Sequence, residues 1–252
     1  MFFDLYMKVG VSISYAKLVN SDRKVKDILN SVNTIEIYIE DTFQLEEISF
    51  SEIIDLCDIF QDRSVKVNSI ALNEKICKLK AEDFNKIIVV AENLGAKFIS
   101  LSYEAFSYFL ERYPLSSVIT EVCGSGVKVC ILVTSEKNVA KARKLVTGRL
   151  RGFTALCIDI ALLKSDFLNV LLNNVGLIKI IYVCNFSEES PHIRLPVFHI
   201  KGKVNFYETL SILNGLLYSE YLILRYEKMF YNTYVHDVGK ILEFLTDLKS
   251  FY

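Results

Sequence analysis

Residues 65–102, "VKVNSIALNEKICKLKAEDFNKIIVVAENLGAKFISLS", hold one complete repeat of the pattern that decides the fold. "VKVNSIAL" (65–72) and "KFISLS" (97–102) are short and rich in apolar and β-branched residues, which reads as strand. "AEDFNKIIVVAENLGAKF" between them has helical spacing, and Gly95 supplies the left-handed residue that closes a helix before the next strand. Strand, helix, strand in this order predicts parallel pairing through a right-handed crossover.

The same unit recurs along the chain. Further strands are expected at "KVGVSIS" (8–14), "TIEIYIE" (34–40), "VKVCILV" (127–133), "FTALCID" (153–159), "IKIIYVC" (178–184) and "YLILRYE" (221–227), eight in all with the two above. A helix opening at "SFSEIIDLCDIF" carries Ser49 and Glu52 at capping-box spacing. Eight such units in 252 residues fit a closed (β/α)8 TIM barrel of class α/β, read as a single domain over 1–252. An open doubly wound sheet commonly carries a Gly-rich nucleotide loop, and none is found. Only three prolines occur, with no low-complexity linker or short-period repeat.

A formal net charge of −1 argues against a surface matched as a whole to nucleic acid, and no apolar run reaches membrane-span length. The start, "MFFDLYMKVG", lacks the features of a secretory signal, so a cytoplasmic chain is expected. The six cysteines at 57, 77, 123, 130, 157 and 184 form no C-x-x-C pair, and Cys130, Cys157 and Cys184 lie in strand runs. Reduced, packed thiols are expected. The basic segment 136–152 is read as a solvated outer helix with an inner face of Ala140, Leu145 and Val146. The aromatic stretch 103–113 is expected to pack on the barrel, and for 227–237 ordinary packing is favoured over lining a pocket or a partner surface.

In a barrel of this kind chemistry belongs at the C-terminal strand ends, which deliver Ser14, Glu40, Asp41, Asn73, Glu74, Ser102, Glu104, Asp159, Asn185, Arg225 and Glu227 among others. Asp159 ends an otherwise apolar strand, where a carboxylate is costly unless paired, hydrogen-bonded or metal-bound.

Several segments together resemble the xylose isomerase-like barrel superfamily, which includes sugar-phosphate isomerases and epimerases and the endonuclease IV type of apurinic-site nuclease. "MKVGVSIS" is similar to its opening strand, "AENLGAKFISLS" to its helix, turn and fourth strand, and "IKGKVNFYETLSIL" to the way into its last helix. "FTALCIDIALL" resembles a segment that normally reads Leu-Asp-x-x-His, and "IKIIYVCNF" a strand usually ending His-x-x-Asp. The resemblance implies divalent-metal ligands at the strand ends. Asp159 keeps one such position, but Leu162 and Tyr182 stand where histidines are expected, Asn185 where an aspartate is, and Leu132 and Arg225 where glutamates are. No histidine lies on the third or fourth strand, which argues against the three-metal nuclease chemistry and makes a nucleic-acid substrate an unfavoured reading.

The expectation is therefore a divergent isomerase/epimerase-like barrel with a degraded metal site that binds a small polar or anionic molecule. The alternative is a non-catalytic scaffold, and a homo-oligomer is left open. Asp159, Glu227 and His199 are the candidate catalytic residues. Arg225, Asn185, Tyr182, Ser102 and His192 are the candidate ligand contacts. No metal ligand set or other cofactor is predicted, and a divalent metal fits only if Asp159 and Glu227 act together. Arg225 is expected to face Asp159 as its counter-charge.

Overall fold

The computed structural model describes residues 7–20, 22–114, 117, 120, 122, 124–190 and 193–250. Eight strands close a barrel in sequence order: β1 (Lys8–Ser14), β2 (Thr34–Ile39), β3 (Lys66–Leu72), β4 (Phe98–Ser102), β5 (Lys128–Val133), β6 (Thr154–Asp159), β7 (Ile178–Val183) and β8 (Tyr221–Leu224). Every neighbouring pair is parallel, and β8 returns to β1 through Lys8↔Tyr221 to Val11↔Leu224.

Alternation along the strands sorts the side chains into two cores. Val11, Ile13, Ile37, Ile99, Ile131, Ile158, Ile181 and Leu222 belong to a large outer layer shared with the helices. Phe98, Cys130, Leu132, Cys157, Ile180, Tyr182, Tyr221 and Ile223 form a second cluster, the filling of the lumen. Gly10 belongs to this inner set: a Cβ there would lie 2.8 Å from the Thr34 carbonyl oxygen and 3.0 Å from the Ile223 side chain.

The expected helix ends are present. Ser49 and Glu52 form a reciprocal capping box on Phe50–Asp62, and Gly95 adopts φ +66°. Leu217, with φ +54°, fills the equivalent position after Phe206–Gly215, where the amide of Tyr218 reaches back to Leu213 O at 3.0 Å. On the basic helix Glu136–Thr147 the buried residues are Ala142 and Val146, while Ala140 faces solvent. The expected inner face was thus rotated, because Ala142 and Val146, four apart, share one stripe. Cys130, Cys157 and Cys184 are buried free thiols, and Cys123 lies outside the described residues. Among the described residues no helix is long and apolar enough to cross a membrane.

The eighth strand is shorter than its sequence suggests, ending at Leu224 instead of residue 227. The amide of Arg225 still reaches Val183 O at 3.2 Å, but Tyr226 N donates to the Tyr234 hydroxyl and Glu227 N to Arg194 O. Tyrosines also cover the top of β1, where β8 is missing. Tyr234 donates to Ser12 O at 2.9 Å, and Ser14 N donates to the Tyr231 hydroxyl at 3.1 Å.

Candidate functional site at the barrel mouth

The inward parity of β2 places Glu36 in the lumen with no solvent exposure. Burying that charge requires compensation, and four groups supply it. Ser12 Oγ donates to Oε1 at 2.9 Å, Ser69 Oγ and the Tyr182 hydroxyl lie 2.8 Å from Oε2, and Arg225 Nη2 forms an ion pair with Oε1. Tyr182 is further fixed by Ser100 Oγ at 2.6 Å, and the Arg225 guanidinium lies 3.5 Å from its ring centroid. Burial pushes the Tyr182 phenol well above its usual range, so it remains a donor.

A second ionic layer lies nearer the rim. Asp159 accepts Ala161 N at 2.9 Å and Leu162 N at 3.3 Å on Oδ1, capping the short helix Ile160–Leu163. Its Oδ2 accepts Arg194 Nε at 3.1 Å and Nη2 at 3.0 Å. Arg194 also reaches Glu74 Oε1 at 2.7 Å. Burial alone would raise the Glu74 carboxyl, but the nearby charges of Arg194 and Arg225 hold it below the usual range. On the opposite rim Glu40 accepts Ser14 Oγ at 2.6 Å and Lys228 Nζ at 2.5 Å. These contacts outweigh its burial and lower its pKa as well.

Above the two layers opens a cavity of about 560 Å³. Its wall includes Tyr38, Glu40, Glu74, Lys75, Leu162, Lys164, Arg194, Arg225, Glu227 and Lys228. Three unsatisfied buried atoms belong to this wall: Glu74 Oε2, Arg225 Nε and Arg225 Nη1. Lys164 has φ +50° and ψ −119°, a backbone conformation that an L side chain rarely adopts.

No protein-family model matches the sequence, and no curated protein matches it significantly. Solved structures do match. A D-tagatose 3-epimerase-like protein aligns over 96% of this chain and 99% of its own, with a TM-score of 0.69 at 15% identity. A xylose isomerase-like TIM barrel protein from Mycobacterium smegmatis in complex with magnesium aligns over 98% and 99%, with a TM-score of 0.65 at 13% identity. The chain has the xylose isomerase-like barrel fold. A sugar phosphate isomerase/epimerase from Parabacteroides distasonis aligns over 93% of this chain and 92% of its own, with a TM-score of 0.58 at 11% identity.

Within this xylose isomerase-like barrel the expected pairing of Asp159 with Arg225 is not formed. Asp159 belongs to Arg194, from the segment after β7, and Arg225 belongs to Glu36. Of the eight candidate residues, Arg225 and Glu227 line the cavity, while Asp159 is wholly buried behind Arg194. Glu227 is half-buried and its carboxylate has no hydrogen-bond or ion-pair partner among the described residues. Tyr182 lies beneath the cavity in the Glu36 layer. Ser102 caps the helix Tyr103–Leu110 and donates to Ile76 O at 3.3 Å. Asn185 accepts Phe186 N and Val204 N and donates to Val197 O and Val204 O, so its amide is spent on holding the loop that carries Arg194. His199 takes Lys201 N at 3.3 Å on Nδ1 and is not in the cavity wall, and His192 lies outside the described residues.

Glu36 and Arg194 were not among the candidates. Glu36 carries the same signal as Asp159, a carboxylate inside a strand, and its parity with Tyr38 and Glu40 puts it in the lumen. Arg194 has no such signal, because its place over the mouth depends on loop geometry. Among the described residues no three His, Cys, Asp or Glu side chains are grouped to hold a metal.

Proposed function

We infer that the mouth binds a small hydroxylated anion of the sugar-phosphate kind, with guanidinium groups doing the work that a divalent cation does in a metal-dependent site. The observation that carries this reading is Arg225: 3% exposed, in the cavity wall, with Nε and Nη1 lacking partners. A buried guanidinium with free donors is completed by a phosphate or carboxylate, and Glu74 Oε2 offers an acceptor for a ligand hydroxyl. The donor set fits a divalent cation poorly. Both oxygens of Asp159 and both of Glu36 are occupied, each carboxylate facing an arginine. Asp159 and Glu227 also differ in setting, one enclosed and one in the open cavity.

If turnover survives, Glu227 is the residue free to move a proton. It would take a proton from the carbon beside a carbonyl and return it to the neighbouring carbon, the hydroxyl proton passing to the former carbonyl oxygen through water in the open cavity, while Arg225 stabilises the oxygen that gains charge. Glu227→Gln should then abolish solvent deuterium incorporation into a bound hydroxy-ketone while leaving its affinity within about threefold.

Titration calorimetry with inorganic phosphate and a panel of sugar phosphates, with and without chelator, tests the binding reading. Saturable binding that Arg225→Met weakens and chelator leaves unchanged is the expected result. Stoichiometric, tight manganese or magnesium binding that requires Asp159 would overturn it. The alternative, a non-catalytic scaffold, draws support from Leu132, which fills the lumen at 1% exposure where a ligand glutamate is expected. Absence of binding across the panel would favour it.

A further inference from the structure

The opposite end of the barrel carries a second feature. Lys8, Lys66 and Lys128 are the first residues of β1, β3 and β5, and Lys97 immediately precedes β4. Parallel strands bring all four to one face, at the N-terminal ends. Among the described residues none of the four has a carboxylate within ion-pair distance, whereas Lys179, on the same side of β7, is neutralised by Glu220. Lys8 and Lys97 stand 5.0 and 6.0 Å from the Tyr221 ring centroid, and Lys97 Nζ is 3.3 Å from its hydroxyl.

Three of these lysines, Lys8, Lys66 and Lys97, line a cavity of about 1240 Å³ together with Arg63, and among the described residues its wall has no acidic residue. Two atoms of that wall are buried without partners, Asn68 Oδ1 and Arg63 Nε, and Asn68 is only 2% exposed. Asn68 is also the extra residue of a β-bulge, since Ile35 pairs with Val67 and Glu36 with Ser69. A bulge turns a side chain out of the regular alternation, and here it directs an amide to the cavity.

We propose that this cavity is a binding site for a small molecule bearing two or more phosphate groups, separate from the site at the mouth. Four like charges around one concavity repel one another, and a multiply charged anion relieves that repulsion. The Arg63 Nε donor completes a phosphate contact, and Asn68 Oδ1 accepts from a ligand hydroxyl. In barrels of this kind the N-terminal face does not carry the chemistry, so an occupant here is an effector or stabiliser and not a substrate.

Titration of the full chain with sodium tripolyphosphate tests the site. Saturable one-to-one binding is expected, weakened about tenfold or more by Lys66→Met/Lys97→Met and strongly salt-dependent. Both lysines are exposed, so the variant should fold, which far-UV circular dichroism checks. Lys137→Met/Lys141→Met removes the same charge from the outer helix and should leave binding unchanged. Equal losses in the two double variants, or no saturation, would overturn the proposal and leave the lysines as solubilising charges. A single-stranded oligonucleotide that binds more tightly than tripolyphosphate with the same lysine dependence would overturn the small-ligand assignment in favour of nucleic acid.

Discussion

Glu36→Gln keeps the shape of the lumen acid and removes its charge. Arg225, already without partners at Nε and Nη1, then loses its ion pair. Breaking a buried pair on one side costs about 3–5 kcal/mol. Gln also offers one acceptor oxygen in place of two, so one of the contacts from Ser12, Ser69 or Tyr182 is lost at about 1 kcal/mol. The expected destabilisation is about 4–6 kcal/mol, a large share of the roughly 5–15 kcal/mol that holds a domain together. Arg225→Met leaves the carboxylate with three hydroxyl donors and should cost about 3 kcal/mol. The double variant removes both charges, so a coupling of at least about 2 kcal/mol should appear in equilibrium urea unfolding. Asp159→Asn with Arg225→Met is the control, since Asp159 answers to Arg194. A larger coupling for Asp159 with Arg225 than for Glu36 with Arg225 would refute the reasoning.

Three further outcomes follow from the geometry. Gly10→Ala should destabilise by about 1–3 kcal/mol in the same assay, because the new methyl meets the Thr34 carbonyl, which cannot rotate away. Leu217→Gly should raise stability by about 0.5–1 kcal/mol, since Leu217 is 72% exposed and held at φ +54°. Glu74 and Glu40 have folded pKa values below normal, so their stabilisation is complete above the usual glutamate range and is lost as pH falls through the lowered values. Melts between neutral and acidic pH should show a shallower acid loss for Glu74→Gln than for the parent, and parallel curves would contradict the assignment.

Every strand of the barrel was legible, because β-branched runs separated by helical spacing need only local chemistry to be recognised. The end of β8 was not. Residues 225–227 continue the strand-like composition, yet their amides turn to Val183 O, the Tyr234 hydroxyl and Arg194 O. The candidate site was half legible for a related reason. Parity places Arg225 in the lumen correctly, but a guanidinium reaches several neighbours, and sequence does not rank Glu36 against Asp159 as its partner. Asp159 found its explanation in a helix cap and an arginine from a loop of no regular period. Asn185, expected to touch a ligand, instead holds that loop in place.

The tyrosine contacts at the top of β1 bear on how the chain folds. Ser14 and Tyr231 are 217 residues apart in sequence, and Ser12 and Tyr234 are 222. Ser12 and Glu36, on adjacent strands, are only 24 apart. Loop-closure entropy grows as (3/2)RT ln n, so bringing β1 and the segment after β8 together costs about 2 kcal/mol more than zipping one neighbouring strand. With only four residues in β8, the ladder there offers few backbone bonds to offset that cost. The phenols add directed bonds at the very place where the entropic penalty is greatest, and they draw on the segment after β8, so residues outside the eight strands complete the ring.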